Sequence, residues 1–132
     1  MILVDSSVWV DYFNGQSTPE VDYLDQLLGS QPLAIGDIIL TEVLQGFRQD
    51  SDYANAKQSL ISLTIFNLVN TKLALKSAEN FRYLRKRGLT VRKTIDVIIA
   101  TFCIEERHVL LFSDKDFIPF INYLGLVSAF PR

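Results

Sequence analysis

Five short apolar runs recur along this chain, ILV (2–4), LAI (33–35), TIFNLV (64–69), VLLF (109–112) and LGLV (124–127), with longer segments of helical period between them. Short, continuous apolar runs suit strands buried on both faces, and parallel pairing is the arrangement that leaves room for a helix between successive strands. The intervening segments carry their own boundaries. STPEVDYLDQLLG offers Thr18 as N-cap, Pro19 in the first turn and Gly29 at the end. GDIILTEVLQGF starts at Asp37, SDYANAKQSLISL near Asp50 to Asp52, and KLALKSAENFRYLRKRG stops at Gly88. TIDVIIATFCIEERH leads into the fourth run, with Thr94 the better cap for that helix. Strands alternating with helices predict an α/β fold, a central parallel sheet of four or five strands with helices on both faces, built as three layers. At 132 residues the chain fits one domain spanning 1–132.

Several kinds of chemistry have no residues to stand on. There is no GxGxxG, no Walker-type loop and no GxSxG elbow. Cys103 is the single cysteine and His108 the single histidine, so neither an intrachain disulfide nor a Cys/His zinc cage is available. The longest apolar stretch, TIDVIIATFCI, is about half of a membrane span and contains Asp96, and the first residues lack the cationic flank of a signal peptide, so a cytoplasmic protein without a membrane partner is expected.

Catalysis, if present, therefore rests on carboxylates. Asp5 follows the first run directly and Asp114 follows the fourth after one residue, so both should emerge at the C-terminal edge of the sheet, where open α/β folds bind ligands. Glu42 and Asp96 are lone acids within apolar segments, IILTEVL and TIDVII. Each acid also has a structural reading: Asp5 or Ser6 as the cap of the first helix, Asp114 as the cap of a short turn, Glu42 as an exposed helical residue, Asp96 as a first-turn anion. Taken together the four would repel by roughly 4 kcal/mol per close pair at an effective dielectric near 20, and the cluster calls for a cation. Oxygen-only ligands select a hard ion, Mg²⁺ or Mn²⁺, and such ions typically serve phosphoryl chemistry.

The net charge of −2 conceals an uneven distribution, because Arg82, Arg85, Lys86, Arg87, Arg92 and Lys93 place six of thirteen cationic residues in RYLRKRGLTVRK, which has no acid. The stretch reads either as a solvated helix end, where cations oppose the dipole, or as a surface for phosphates. Metal-holding acids beside a basic stretch point to a nuclease. Trp9, Tyr12 and Phe13 share one helical face and read as core or as a dimer contact rather than a base-stacking platform.

The motifs ILVDSSVWVDYFNG, LTEVLQGF, TIDVIIAT and LLFSDKDF, spread over nearly the whole chain, resemble the PIN-domain ribonucleases, and within them the VapC-type toxins of toxin–antitoxin pairs. The resemblance implies a PIN fold and a Mg²⁺ site held by Asp5, Glu42, Asp96 and Asp114, with Mn²⁺ able to substitute. It implies supporting roles for Asp116 and for Ser7, which would orient the first carboxylate; Ser6 stands where many members carry Thr. The family varies between Gly88 and Asp96, so Arg92, Lys93 and Thr94 join Arg85, Lys86 and Arg87 as candidates for RNA contact. The expected activity is endoribonucleolytic hydrolysis by an activated water, leaving 5′-phosphate and 3′-hydroxyl ends and arresting translation. The expected partners are RNA, a VapB-type antitoxin that places a cation in the acidic pocket, and a second copy in a homodimer. Three alternatives stand beside this: a housekeeping PIN nuclease for RNA maturation or DNA, an aspartate-phosphorylated signalling domain, and a non-catalytic RNA-binding module. A signalling domain would need adjacent acids after the first strand and an acid at the end of the middle one; DSS supplies one and TIFNLVN none.

Overall fold

The computed structural model describes residues 1–130. Four parallel strands, β1 (Ile2–Val4), β2 (Leu33–Gly36), β3 (Thr64–Phe66) and β4 (Val109–Leu111), form a sheet in the order β3-β2-β1-β4. Leu3 pairs with Ala34 on one side and Leu110 on the other, so β1 lies inside the sheet, paired at both edges. Helices α1 (Ser6–Phe13) and α2 (Pro19–Leu27) join β1 to β2; α3 (Asp37–Gln45) and α4 (Asp50–Leu60) join β2 to β3. Helices α5 (Thr71–Arg85) and α6 (Thr94–Glu106) return across the sheet to β4, and α7 (Ile118–Leu124) follows it.

Right-handed crossovers in opposite directions place their helices on opposite faces, which is what makes the fold three layers deep. The packing divides accordingly: α1 packs on α2 and α3, and α3 on α4, whereas α5 packs on α6 and α7. The core between these layers includes Leu3, Val4, Ile35, Ile39, Leu84, Ile99, Leu110, Leu111 and Phe112. The chain leaves β1 toward one side of the sheet and enters β4 from the other, so a crevice opens beyond their C-terminal ends.

Among the described residues, side chains cap three of the helices, α1, α2 and α5. Thr18 Oγ1 accepts from Val21 N at 3.1 Å with Pro19 next in line, as its residue types demand. Asn70 Oδ1 likewise accepts from Leu73 N at the start of α5. Helix α6 departs from expectation: Lys93, not Thr94, occupies the N-cap position, no side chain caps the helix, and Thr94 is its first residue.

The third and fifth apolar runs also differ from the reading of the sequence. TIFNLV yields only Thr64–Phe66, an edge strand whose Thr64 and Ile65 are exposed, because Leu68 N turns to donate to Asp37 Oδ1 at 3.2 Å. LGLV is not a strand. Leu124 closes α7, Gly125 takes φ 84° as its cap, and the chain then makes a single parallel bridge, Leu110 with Ser128, beside β4.

Candidate functional site

Asp5 is the N-cap of α1 at the exit of β1, and its backbone N–H donates to Leu111 O of β4 at 2.9 Å. Its Oδ2 accepts from Ser7 N at 3.1 Å and from Ser7 Oγ at 2.5 Å. Ser7 Oγ in turn accepts from Ser113 N at 3.4 Å, tying the start of α1 to the loop after β4. Capping and site-building are thus one arrangement, because the oxygen that caps the helix leaves the other free to face elsewhere. Asp114 is a cap as well: its Oδ1 caps the short 3-10 turn Lys115–Phe117 by accepting from Asp116 N at 2.9 Å.

Glu42 reaches the same place from the middle of α3, where Ser6 Oγ donates to its Oε1 at 3.2 Å. Asp96 comes from the first turn of α6. Asp5, Glu42, Asp96 and Asp114 line one cleft of about 280 Å³ with Ser7 and Lys93. Asp11 and Ser113 line it too. Neither was foreseen, although Asp11 lies four residues beyond Ser7, a spacing that shares a helical face.

The closest grouping is a different subset. Carboxylate oxygens of Asp96, Asp114 and Asp116 lie within 4.8 Å of one another. Two basic residues answer this charge: Lys93 Nζ stands 3.6 Å from Asp114 Oδ2, and Arg92 Nη2 3.4 Å from Asp116 Oδ2. These two candidates for RNA contact are thus paired with acids of the site. Arg85, Lys86, Arg87 and Thr94 do not line the cleft. Arg87 lies over the ring of Tyr83 at 3.5 Å and donates to Tyr83 O, closing the end of α5 as a helix-terminal cation does. Trp9 belongs to the core and meets Tyr12 and Phe13 ring to ring.

Burial sets the electrostatics. Asp5 is 2 % and Asp96 6 % exposed. Desolvation pushes the Asp5 carboxyl above its ordinary range against the opposing hydrogen bonds from Ser7, and the charge of Glu42 adds to the rise. Asp96 is pushed up to about 7, first by burial and then by the charge of Asp5, with Asp114 and Asp116 adding and Lys93 opposing. The Cys103 thiol, buried in the core, is pushed up to about 12 and is no nucleophile.

Two oxygens in this cleft's acids have no partner among the described residues: Asp5 Oδ1 and Asp96 Oδ2, both buried. An unpaired buried carboxylate oxygen is costly, and two from neighbouring acids mark a place for a cation. The donors are all carboxylates, which fits a hard divalent ion such as Mg²⁺ or Mn²⁺. Among the described residues no helix is long and apolar enough to cross a membrane.

Comparison with known proteins shows the family. The family model described as PIN domain matches residues 2–119. Ribonuclease VapC11 of Mycobacterium tuberculosis is 28 % identical over 131 residues, covering 98 % of each chain. Among solved structures, the chain resembles one in VapBC2 from Rickettsia felis bound to a DNA fragment from its promoter, with TM-score 0.75, 21 % identity and 97 % of each chain covered. It also resembles one in a toxin–antitoxin complex from Klebsiella pneumoniae, with TM-score 0.72, 20 % identity and 100 % of each chain covered.

Proposed function

The chain belongs to the PIN-domain family, and from that premise we propose that it is a Mg²⁺-dependent endoribonuclease of a single domain, the toxin of a VapBC-type toxin–antitoxin pair. The observation that carries the reading is the pair of unpartnered buried oxygens, Asp5 Oδ1 and Asp96 Oδ2, in one acid-lined cleft. The name of the mycobacterial relative supplies the substrate class, and the toxin–antitoxin complexes among the similar structures supply the partner.

In this account Asp5, Glu42, Asp96 and Asp114 hold the ion. When bound, Mg²⁺ or Mn²⁺ neutralises charge on the phosphate oxygens and lowers the pKa of water. Ser7 fixes the Asp5 carboxylate through Oδ2 and leaves Oδ1 for the ion, while Ser6 orients Glu42. Asp116 supports the site by keeping Asp114 in place through its backbone N–H. Lys93, held beside Asp114, is within the cleft and can meet a phosphate oxygen. Cleavage leaves 5′-phosphate and 3′-hydroxyl ends and arrests translation in the cytoplasm.

The antitoxin, of VapB type, disarms the enzyme by placing a guanidinium among these carboxylates, where bidentate pairing replaces the ion. The toxin acts as a homodimer. Incubating purified chain with RNA in Mg²⁺ and in EDTA tests the reading: cleavage in Mg²⁺ alone, with 5′-phosphate ends, is expected. Undiminished cleavage in EDTA, or cyclic-phosphate ends, would contradict it.

A further inference from the structure

A second cavity lies between α5 and the start of α6. It measures about 430 Å³ and has predominantly apolar walls, with Ala74, Ala78 and Phe81 of α5 facing Thr94, Val97 and Ile98 of α6. Arg82 and Arg85 also line it, and the Arg85 guanidinium lies 5.5 Å from the centre of the Phe81 ring. Thr94 belongs to this groove, while its neighbours Lys93 and Asp96 line the acidic cleft. The start of α6 therefore contributes residues to both the groove and the acidic cleft.

We propose that this groove is a subsite for a nucleobase of single-stranded RNA flanking the scissile phosphate, an inference that rests on the ribonuclease reading above. Three observations favour RNA as the occupant. The groove offers an apolar slot with an arginine–aromatic stack, the combination on which bases of any sequence settle. Its exposed alanines leave the slot open above α5. The charge suits a polyanion: Arg82 and Arg85 line the groove without an acid beside them in its wall, and the single acid of α5, Glu79, is paired with Lys76 at 3.8 Å.

The test fills the slot. Ala74→Leu and Ala78→Leu are substitutions at exposed helical positions by a good helix former, so the fold is preserved. Fluorescence anisotropy with a short labelled mixed-sequence RNA in EDTA should show about tenfold weaker binding by either variant, the loss expected for one stacked base. Photocrosslinking of a thiouridine-containing RNA to the native chain should map to Phe81 or to the first turns of α6. Unchanged RNA affinity in both variants, with crosslinks elsewhere, overturns the subsite while leaving the ribonuclease reading intact. Variants that lose self-association yet bind RNA as before assign the groove to a second copy instead. If the native chain neither binds nor cleaves RNA, the ribonuclease reading fails and the subsite falls with it.

Discussion

Ser7 holds Asp5 by two hydrogen bonds to the same oxygen, Oδ2, and leaves Oδ1 buried without a partner. The hydroxyl therefore chooses which oxygen of the carboxylate is free. Ser7→Ala keeps the backbone bond but releases the stronger one, and removal of a group that orients a metal ligand typically lowers affinity or activity by about 10–100-fold. We expect RNA cleavage to fall by that factor, with Ser7→Thr restoring most of it. Equal activity of Ser7→Ala and the native chain would show that Ser7 only caps α1.

Burial of Asp96 makes the metal-free protein sensitive to pH in a defined direction. Its carboxyl titrates near 7 in the folded chain against 3.8 for the unperturbed group. Between these values the folded state retains the proton that the unfolded state has released, so stability is full below about 4 and declines as pH rises through 7. Asp5, also raised, acts in the same sense. Thermal melts in EDTA should show a lower midpoint at pH 8 than at pH 5.5, and Asp96→Asn should flatten that slope. Mg²⁺ should raise the midpoint most at pH 8, where the carboxylates are charged. Parallel curves for the native chain and Asp96→Asn would contradict the account.

Gly36 closes β2 and caps α3, the helix that carries Glu42. A Cβ at this position would run into the side chain of Leu68, and Leu68 is wholly buried. Gly36→Ala should cost about 1–3 kcal/mol of stability through overpacking. Denaturant unfolding checks this, and Gly36→Ala combined with Leu68→Ala should recover part of what the two single changes lose separately. Additive losses would mean that the contact does not decide the residue.

Much of this architecture was legible because buried parallel strands announce themselves as short apolar runs, and Asp5, Glu42, Asp96 and Asp114 interrupt apolar surroundings. What escaped depended on contacts distant in sequence. Nothing in TIFNLV shows that Asp37, 31 residues earlier, draws Leu68 out of the strand. LGLV is as apolar as β1, yet the left-handed Gly125 turns it into a connection with one bridge. Arg92 and Lys93 read as free cations until the fold sets Asp116 and Asp114 beside them. Asp11 was the exception, since its spacing from Ser7 already placed it on the site's face of α1.

Arg85 and Lys86 are exposed, whereas Arg87 is folded against Tyr83. Reversing the first two charges should weaken RNA binding and reduce its dependence on salt, each lost phosphate contact lowering the slope by about one. Arg87→Glu should act mainly on stability by removing the cation from the end of α5. Binding isotherms across a salt series separate these outcomes; identical slopes for all three variants would return the whole stretch to a solvated helix end.

Asp5 Oδ1 and Asp96 Oδ2, buried without a partner among the described residues, are proposed to await a divalent ion. Anomalous diffraction from crystals of the chain grown with Mn²⁺ tests this most directly. The account predicts one strong peak within about 2.5 Å of both oxygens, with waters completing the shell. A peak held by Asp96, Asp114 and Asp116 with Asp5 uninvolved, or no peak at saturating Mn²⁺, would contradict it.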